Sequence, residues 1–388
     1  MANDLKTQLA QAQYIRDFIA GEDALKKDPE LYLHRDPDQT AARWLDYVRH
    51  AKCPDWCRVA LDRVLGYIAQ LQKSATASLP AGIAYLDHAA TVYGDGLDAL
   101  ALRITQAQAI DGRIGLLVEP TADNRLVIKE LACWRILQVH YETEGGRSRA
   151  RFAVIDNSRD VFDPLTKQTN QVQEHIVLGL DSRGDYYTAT IHPREWERFN
   201  PDEPTGLFIY PALYGRRLSY IPLVVVNTSN LSGASYSDAY LLPLAVLSHH
   251  AYNADAAYRR TLRCTSDPVL AVIGGTGKPI GDLSATPGSV NWLPQSYELK
   301  FTEFSGAGAE AQRTALKDMA EEAEQRIMAV RADSDLSGTA LGIIMASQQA
   351  GFARMVDVMC DGLTLSLTYA ADWASTLPWP SYRLLRGD

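Results

Sequence analysis

Gly274-Gly275-Thr276-Gly277-Lys278 has the residue types of a phosphate loop, small residues whose amides can line an anion and a lysine to meet its charge. Its spacing departs from the nucleotide motif, which needs four residues between its glycines and Ser or Thr after the Lys. Here two residues separate Gly274 from Gly277, and Pro279 follows Lys278, so no helix can begin there with the free amides that hold phosphate. An ordinary loop is the stronger reading, and a nucleotide-using enzyme with a degenerate loop is the alternative. Gly94-Asp95-Gly96-Leu97-Asp98-Ala99 fits the dinucleotide fingerprint formally. That motif works only directly after a strand within a βαβ unit, and Tyr85–Tyr93 reads as helix. A helix–turn–helix junction is the better account.

Metal and nucleophile chemistry fare no better. His50, Cys53 and Cys57 can lie near one another, but no second ligand pair has zinc spacing, and with Pro54 and Trp56 between them the cysteines read as small core residues. His249 and His250 are adjacent, so on a helix they point about 100° apart and do not share a metal simply. One buried and one solvated histidine is expected. Neither a Gly-x-Ser-x-Gly elbow nor a His-Glu-x-x-His motif occurs. The sequence favours no catalytic site, no cofactor and no metal.

The elements that must position whatever the chain does are ordinary ones. Its 388 residues suffice for two or three domains, and 46% hydrophobic with 22% charged residues is a globular composition. The five scattered cysteines suit a reducing compartment, and no stretch approaches the roughly 18–20 apolar residues of a membrane span, so an intracellular, non-membrane protein is expected. The formal charge of -9 argues against tight sequence-independent DNA binding, which needs many Lys and Arg contacts to phosphate. It is compatible with a duplex sliding past a surface of like charge. Residues 1–110 read as helices with breaks: Leu9–Ile19, then an exposed polar stretch over Lys26–Gln39, then Thr40–His50. A helix after Pro54 is expected to bury Val59, Leu61, Val64, Leu65 and Ile68, and a further helical region covers Ile83–Gln108. Residues 111–235 are strand-rich, with hairpins around Glu144–Arg147 and Asp181–Gly184 and a very apolar strand, Tyr220–Val226, expected at the centre of a sheet. After a polar linker at Asn227–Ser235, helices return at Ser237–Arg263 and Thr339–Trp373, with a strand at Pro268–Ile273. The fold class is α+β.

The most distinctive stretch is Tyr297–Val330. Leu299, Phe301 and Phe304 alternate with polar residues as in a strand; Ser305-Gly306-Ala307-Gly308 breaks it; Glu310–Val330 then contains neither Gly nor Pro and reads as one long helix. Ala311, Ala315, Met319, Ala323 and Ile327 recur every four residues as a narrow stripe along which another helix can approach closely. The rest of that helix is charged, with three cations against five anions for a net of -2. Strand, glycine break and charged helix form a mechanical arrangement rather than a catalytic one.

Taken in order, several segments resemble the portal (head-to-tail connector) proteins of tailed double-stranded DNA bacteriophages, in a divergent branch often left as a phage domain of unknown function. They are Gly112–Pro120 (GRIGLLVEP), Gly215–Val225 (GRRLSYIPLVV), Leu242–Arg259 (LPLAVLSHHAYNADAAYR), Asp267–Leu270 (DPVL), Phe304–Gly306 (FSG) and Thr339-Ala340. The resemblance covers roughly the last two thirds of the chain.

It implies a ring, usually a dodecamer, at one vertex of the virion capsid, through which DNA is packaged and ejected. Implied partners are further copies of the chain, the major capsid protein, the large terminase subunit, head-tail adaptor proteins and double-stranded DNA passing non-specifically. Such a subunit has an α/β wing, here residues 1–110 and 111–235, a helical stem with a small clip (236–295), a tunnel loop with its long helix (296–338) and a C-terminal helical crown-like region (339–388). By position, Glu303, Phe304, Ser305, Gly306, Ala307 and Gly308 would face the channel as the tunnel loop. Another oligomeric scaffold, not a DNA conduit, is a further alternative.

Overall fold

The computed structural model describes residues 2–72, 75–144, 147–165, 167–194, 208–231, 237–266, 269–274, 297–302, 306–328, 340–375 and 380–384. The chain is α+β. Helix α1 (Ala2–Ala20) stops at Gly21 and is followed by the single turn α2 (Glu22–Leu25). In α3 (Ala41–His50) the Thr40 side chain accepts the Arg43 amide, a standard N-cap, and Trp44, Tyr47 and Val48 are buried as their spacing predicts. Helix α4 (Trp56–Gln72) buries Cys57, Ala60, Leu61, Val64, Ile68 and Leu71. Val59, expected in that core, is exposed, because the inward stripe passes through Ala60 and Leu61 and leaves Val59 off its edge. Strand β1 (Ala75–Ser78) follows. The α-helix expected from Ile83 is a 3-10 helix, Ala81–Asp87, and regular helix resumes only after Gly94–Gly96 as α5 (Leu97–Ile110).

The middle of the chain supplies β2 (Arg113–Pro120), β3 (Leu126–Ala132), β4 (Ile136–Glu144), β5 (Arg147–Asp156), β6 (Arg159–Asp163), β7 (Gln168–Val172), β8 (His175–Leu180), β9 (Tyr186–Ile191), β10 (Phe208–Ile209) and β11 (Leu223–Asn227). Then come α6 (Leu242–Ser266), β12 (Val269–Gly274), β13 (Tyr297–Thr302), α7 (Ala307–Met328), α8 (Ala340–Trp373) and β14 (Ser381–Leu384). The chain divides into two compact units, each discontinuous in sequence. One comprises Met1–Ala20, Asp55–Val246 and Gln325–Asp388, the other Gly21–Pro54 and Leu247–Glu324.

In the first unit, antiparallel pairing builds a five-stranded sheet in the order β10-β9-β8-β5-β4 and a three-stranded sheet in the order β11-β2-β3. Both expected hairpins are present, as β4–β5 and β8–β9. Alternation along β8 and β9 sends Leu178 and Tyr186 into the main core and Val177, Tyr187, Ala189 and Ile191 into a satellite cluster on the other face. The very apolar strand β11 is not central. It is the edge of the three-stranded sheet, and its five residues are all buried because α8 lies against it. That approach depends on Gly362, where an added Cβ would fall 2.5 Å from Val226 Cγ2. From Phe352 to Trp373, α8 is the spine of this core, also contacting β2, α5 and β14. Strand β14 pairs with β1 across some three hundred residues of sequence, Ala75 opposite Leu384.

In the second unit, β12 and β13 form an antiparallel ladder from Val269–Thr302 to Gly274–Tyr297. The polar stretch Lys26–Gln39, expected to be exposed, is mostly so, but Tyr32 and Leu33 are buried. The stretch is fastened to α6, where His249 Nε2 and Asn253 Nδ2 each lie 2.7 Å from the Tyr32 carbonyl oxygen and Arg260 pairs with Asp36 at 2.6 Å. Arg263 pairs with Asp46 on α3.

Candidate functional site

The mechanical element is built as its sequence suggests. Strand β13 ends at Thr302; Glu303, Phe304 and Ser305 lie outside the described residues; Gly306, at φ 69°, makes the turn into α7 in a region of backbone space that favours glycine. The Glu310 amide donates to the Gly306 carbonyl, so the helix starts three residues before Glu310, and Ala307 and Gly308 of the expected loop are its first turn. The described remainder of that loop is Gly306.

Along α7 the small-residue stripe is graded. Ala311 and Ala315 are exposed, Met319 is half-buried, and Ala323 and Ile327 are buried. From Ala307 to Glu322 not one residue is buried within the subunit. Local ion pairs hold this exposed half, Glu310 with Arg313 at 2.7 Å and Lys317 with Glu321 at 3.6 Å. Pairs between charges this exposed are screened by solvent and contribute little to the helix. The Arg313 side chain holds the Glu310 carboxyl below its usual range.

A polar constellation that the sequence reading missed lies in the first unit. The Tyr220 hydroxyl donates to Asp372 at 2.6 Å, Arg216 donates to the other Asp372 oxygen at 3.1 Å, and Arg149 stacks over the Tyr220 ring at 4.6 Å. Tyr369 packs against the same ring at 5.0 Å. The Trp373 indole donates to the Arg216 carbonyl at 3.0 Å, tying the end of α8 to the loop before β11. Arg149, Tyr220, Tyr369 and Asp372 edge a cavity of about 630 Å³ whose other walls include Leu223, Val225 and Leu365. Burial and the adjoining Asp372 carboxylate push the Tyr220 hydroxyl far above its usual pKa, so it stays a donor at any physiological pH. This network clamps α8 to the sheet. Its partners lie 152 and 156 residues apart in sequence, a separation that no local motif signals.

The other weighed motifs resolve as follows. Gly274 closes β12, while Gly275–Lys278 lie outside the described residues. The segment before Gly94 is a turn after a 3-10 helix, not a strand, and the dinucleotide context is absent there. Cys57 is a buried core residue, and Cys53 is a half-buried thiol. His249 is half-buried and His250 exposed. Among the described residues no group of three His, Cys, Asp or Glu side chains is placed to hold a metal ion, and no helix is long and apolar enough to cross a membrane.

Residues 240–374 match the family model of a domain of unknown function, DUF4055. No curated protein matches the chain. Among solved structures, the chain is similar to a component of the neck of a native gene transfer agent (GTA) particle computed with C12 symmetry, at 12% identity, TM-score 0.38, covering 91% of this chain and 87% of that one. It is also similar to a component of the neck of an empty GTA particle computed with C6 symmetry, at 12% identity and TM-score 0.37, covering 85% and 82%. A component of the native GTA virion is matched at 12% identity and TM-score 0.39, again covering 85% and 82%. TM-scores of this size are too low to establish a shared fold.

Proposed function

We propose that this chain is a structural, non-catalytic subunit of a portal ring at one vertex of a phage-like capsid, through which double-stranded DNA is packaged and ejected. The observation that carries the reading is α7. None of the first sixteen residues of this helix is fully buried in its own chain, so intrachain packing covers it only in part, although most helical stability in proteins comes from packing. Its Ala311–Ala315–Met319 stripe, exposed at the alanines and half-buried at Met319, suits close packing against an identical neighbour, and its net negative charge suits a wall past which a duplex slides. The ordered portal-like segments support the same assignment, and those from Leu242 onward fall largely inside the matched domain.

In this reading Glu303–Gly308 is the tunnel loop, and Ala311, Ala315, Met319, Ala323 and Ile327 form the subunit-packing helix. Residues 1–235 are the wing, 236–295 the stem and clip, and 339–388 the crown-like C-terminal region, of which α8 packs inward. The partners are further copies of the chain, the major capsid protein, the large terminase subunit and head-tail adaptors. Electron microscopy of the purified full-length chain tests this. Rings with a central hole wide enough for a duplex are expected, whereas a compact monomer or dimer that hydrolyses nucleotide would overturn the proposal. Deleting Ser305–Gly308 should leave rings intact and impair DNA packaging or retention.

A further inference from the structure

Hairpin β6–β7 stands apart from the larger sheets of the first unit, its two strands paired with each other as a separate two-stranded sheet. Successive strand side chains face opposite ways, so Asp160 and Phe162 share one face with Gln171 and Thr169, their cross-strand partners. Phe162 is 60% exposed, and Leu165 at the tip is 93% exposed. A lone two-stranded hairpin is marginal in water, and large apolar side chains held out on one mark a contact surface.

The same unit carries a recess with complementary lining. A concavity of about 540 Å³ is walled in part by Arg16, Tyr93, Arg103, Lys129, Trp134 and Arg135. Tyr93 is 89% exposed and Trp134 44% exposed at its rim. Three of the four cations are committed within the chain: Arg16 to Asp111, Arg103 to Asp95 and Glu130, and Lys129 to Glu119. Arg135 has no ion pair among the described residues, and neither does Asp160 on the hairpin. On the face of the hairpin that carries Phe162 the uncommitted charge is Asp160, opposite in sign to Arg135, and aromatic groups lie beside both.

Position supplies the remaining argument. The hairpin leaves β5 after Asp156 and returns at His175, while Ile155 pairs with Ile136, which directly follows Trp134-Arg135. The arm is thus rooted at the same end of the sheet as the recess. Yet Phe162, Tyr93 and Trp134 are all exposed in one chain, so the subunit does not cover its own recess with its own arm. An element that starts beside a complementary surface and leaves it uncovered has the arrangement of one exchanged between copies.

We propose that β6–β7 is an intersubunit arm whose Asp160–Phe162 face seats on the Tyr93–Trp134–Arg135 recess of a second copy of this chain. Phe162 packs against the two aromatics and Asp160 pairs with Arg135, residue types that commonly anchor interfaces. Arm and recess are different surfaces, so the contact is head-to-tail and propagates around a ring. The inference rests on the proposed ring and adds which surfaces close it.

Charge reversal tests it on the full chain. Asp160→Arg and Arg135→Asp should each raise the concentration needed for half-assembly, read by mass photometry, by about tenfold, and the double variant should recover most of that loss. Circular dichroism checks that each variant is folded. Independently, Phe162→Cys subunits mixed with Trp134→Cys subunits under oxidation should yield a crosslinked pair that neither gives alone. Rings that form normally in both single variants, or a mixture that gives no specific crosslink, would overturn the arm and leave the ring standing. A wild-type chain that forms no ring would remove the ring reading and the arm with it.

Discussion

The two long C-terminal helices, α7 of 22 residues and α8 of 34, make opposite use of their surfaces. Helix α8 buries Phe352, Met355, Val356, Met359, Leu363, Leu367, Ala370 and Trp373 within the first unit, against β11, β2 and α5. In helix α7 none of the first sixteen residues is fully buried, and eight of its 22 residues are charged. One is apolar around more than half its circumference because it fills a core. The other carries a single narrow stripe, which its own chain covers fully at Ala323 and Ile327 and partly at Met319. The contrast separates what the fold needs from what is left for assembly. Removing an α8 side chain should damage the fold, whereas, under the proposed ring, changing the exposed half of α7 should damage assembly alone.

The sharpest way to break this contrast is Trp373→Ala. That residue is fully buried and its indole is hydrogen-bonded to Arg216, so the change should cost about 3–5 kcal/mol in chemical denaturation of the subunit. A loss below about 1 kcal/mol would mean α8 is not the core spine. Ala315→Leu on α7 should move subunit stability by no more than about 0.5 kcal/mol while lowering the assembled fraction seen by native mass spectrometry. Unchanged assembly would detach the stripe from subunit packing.

The smallest effect concerns α6. Burial, opposed by the contact with the Tyr32 carbonyl and aided by His250, holds His249 below its usual pKa of 6.5. The unfolded chain therefore takes up a proton near that pH which the folded chain takes up only lower. The associated stability is complete above 6.5 and falls as pH drops below it towards the folded pKa. Melting temperatures measured from about pH 7.5 down to about pH 5.5 should decline, with a shallower slope in His249→Gln. Equal slopes would show that His249 does not report on this contact.

Much of the local structure was legible in the residues. Thr40 capping α3, the Gly306 turn and the alternation in β8 and β9 each act over a few residues, which is why sequence located those elements. Hairpin β6–β7 was not legible: Arg159–Asp163 and Gln168–Val172 lack the one-sided apolar alternation that marks a half-buried strand. Val59 was misplaced because helical spacing alone allows several neighbouring stripes, and only the packed surface selects one. Of the candidate site, the strand–turn–helix order was read directly, whereas the arm and its recess depend on exposure.

By itself the sequence determined the α+β character, the strand–glycine–helix segment, the order of portal-like segments and the failure of each catalytic motif to meet its spacing or its structural context. Those are properties of neighbours along the chain, set by backbone conformation, side-chain periodicity and turn chemistry. Tertiary structure alone decided that β11 is an edge strand covered by α8, that β1 pairs with β14, and that Tyr220 meets Asp372 and Arg149. It also decided which half of α7 its own subunit buries. These outcomes depend on which surfaces meet across hundreds of residues. A buried edge strand and a central one share the same apolar composition until the element that covers them is in place.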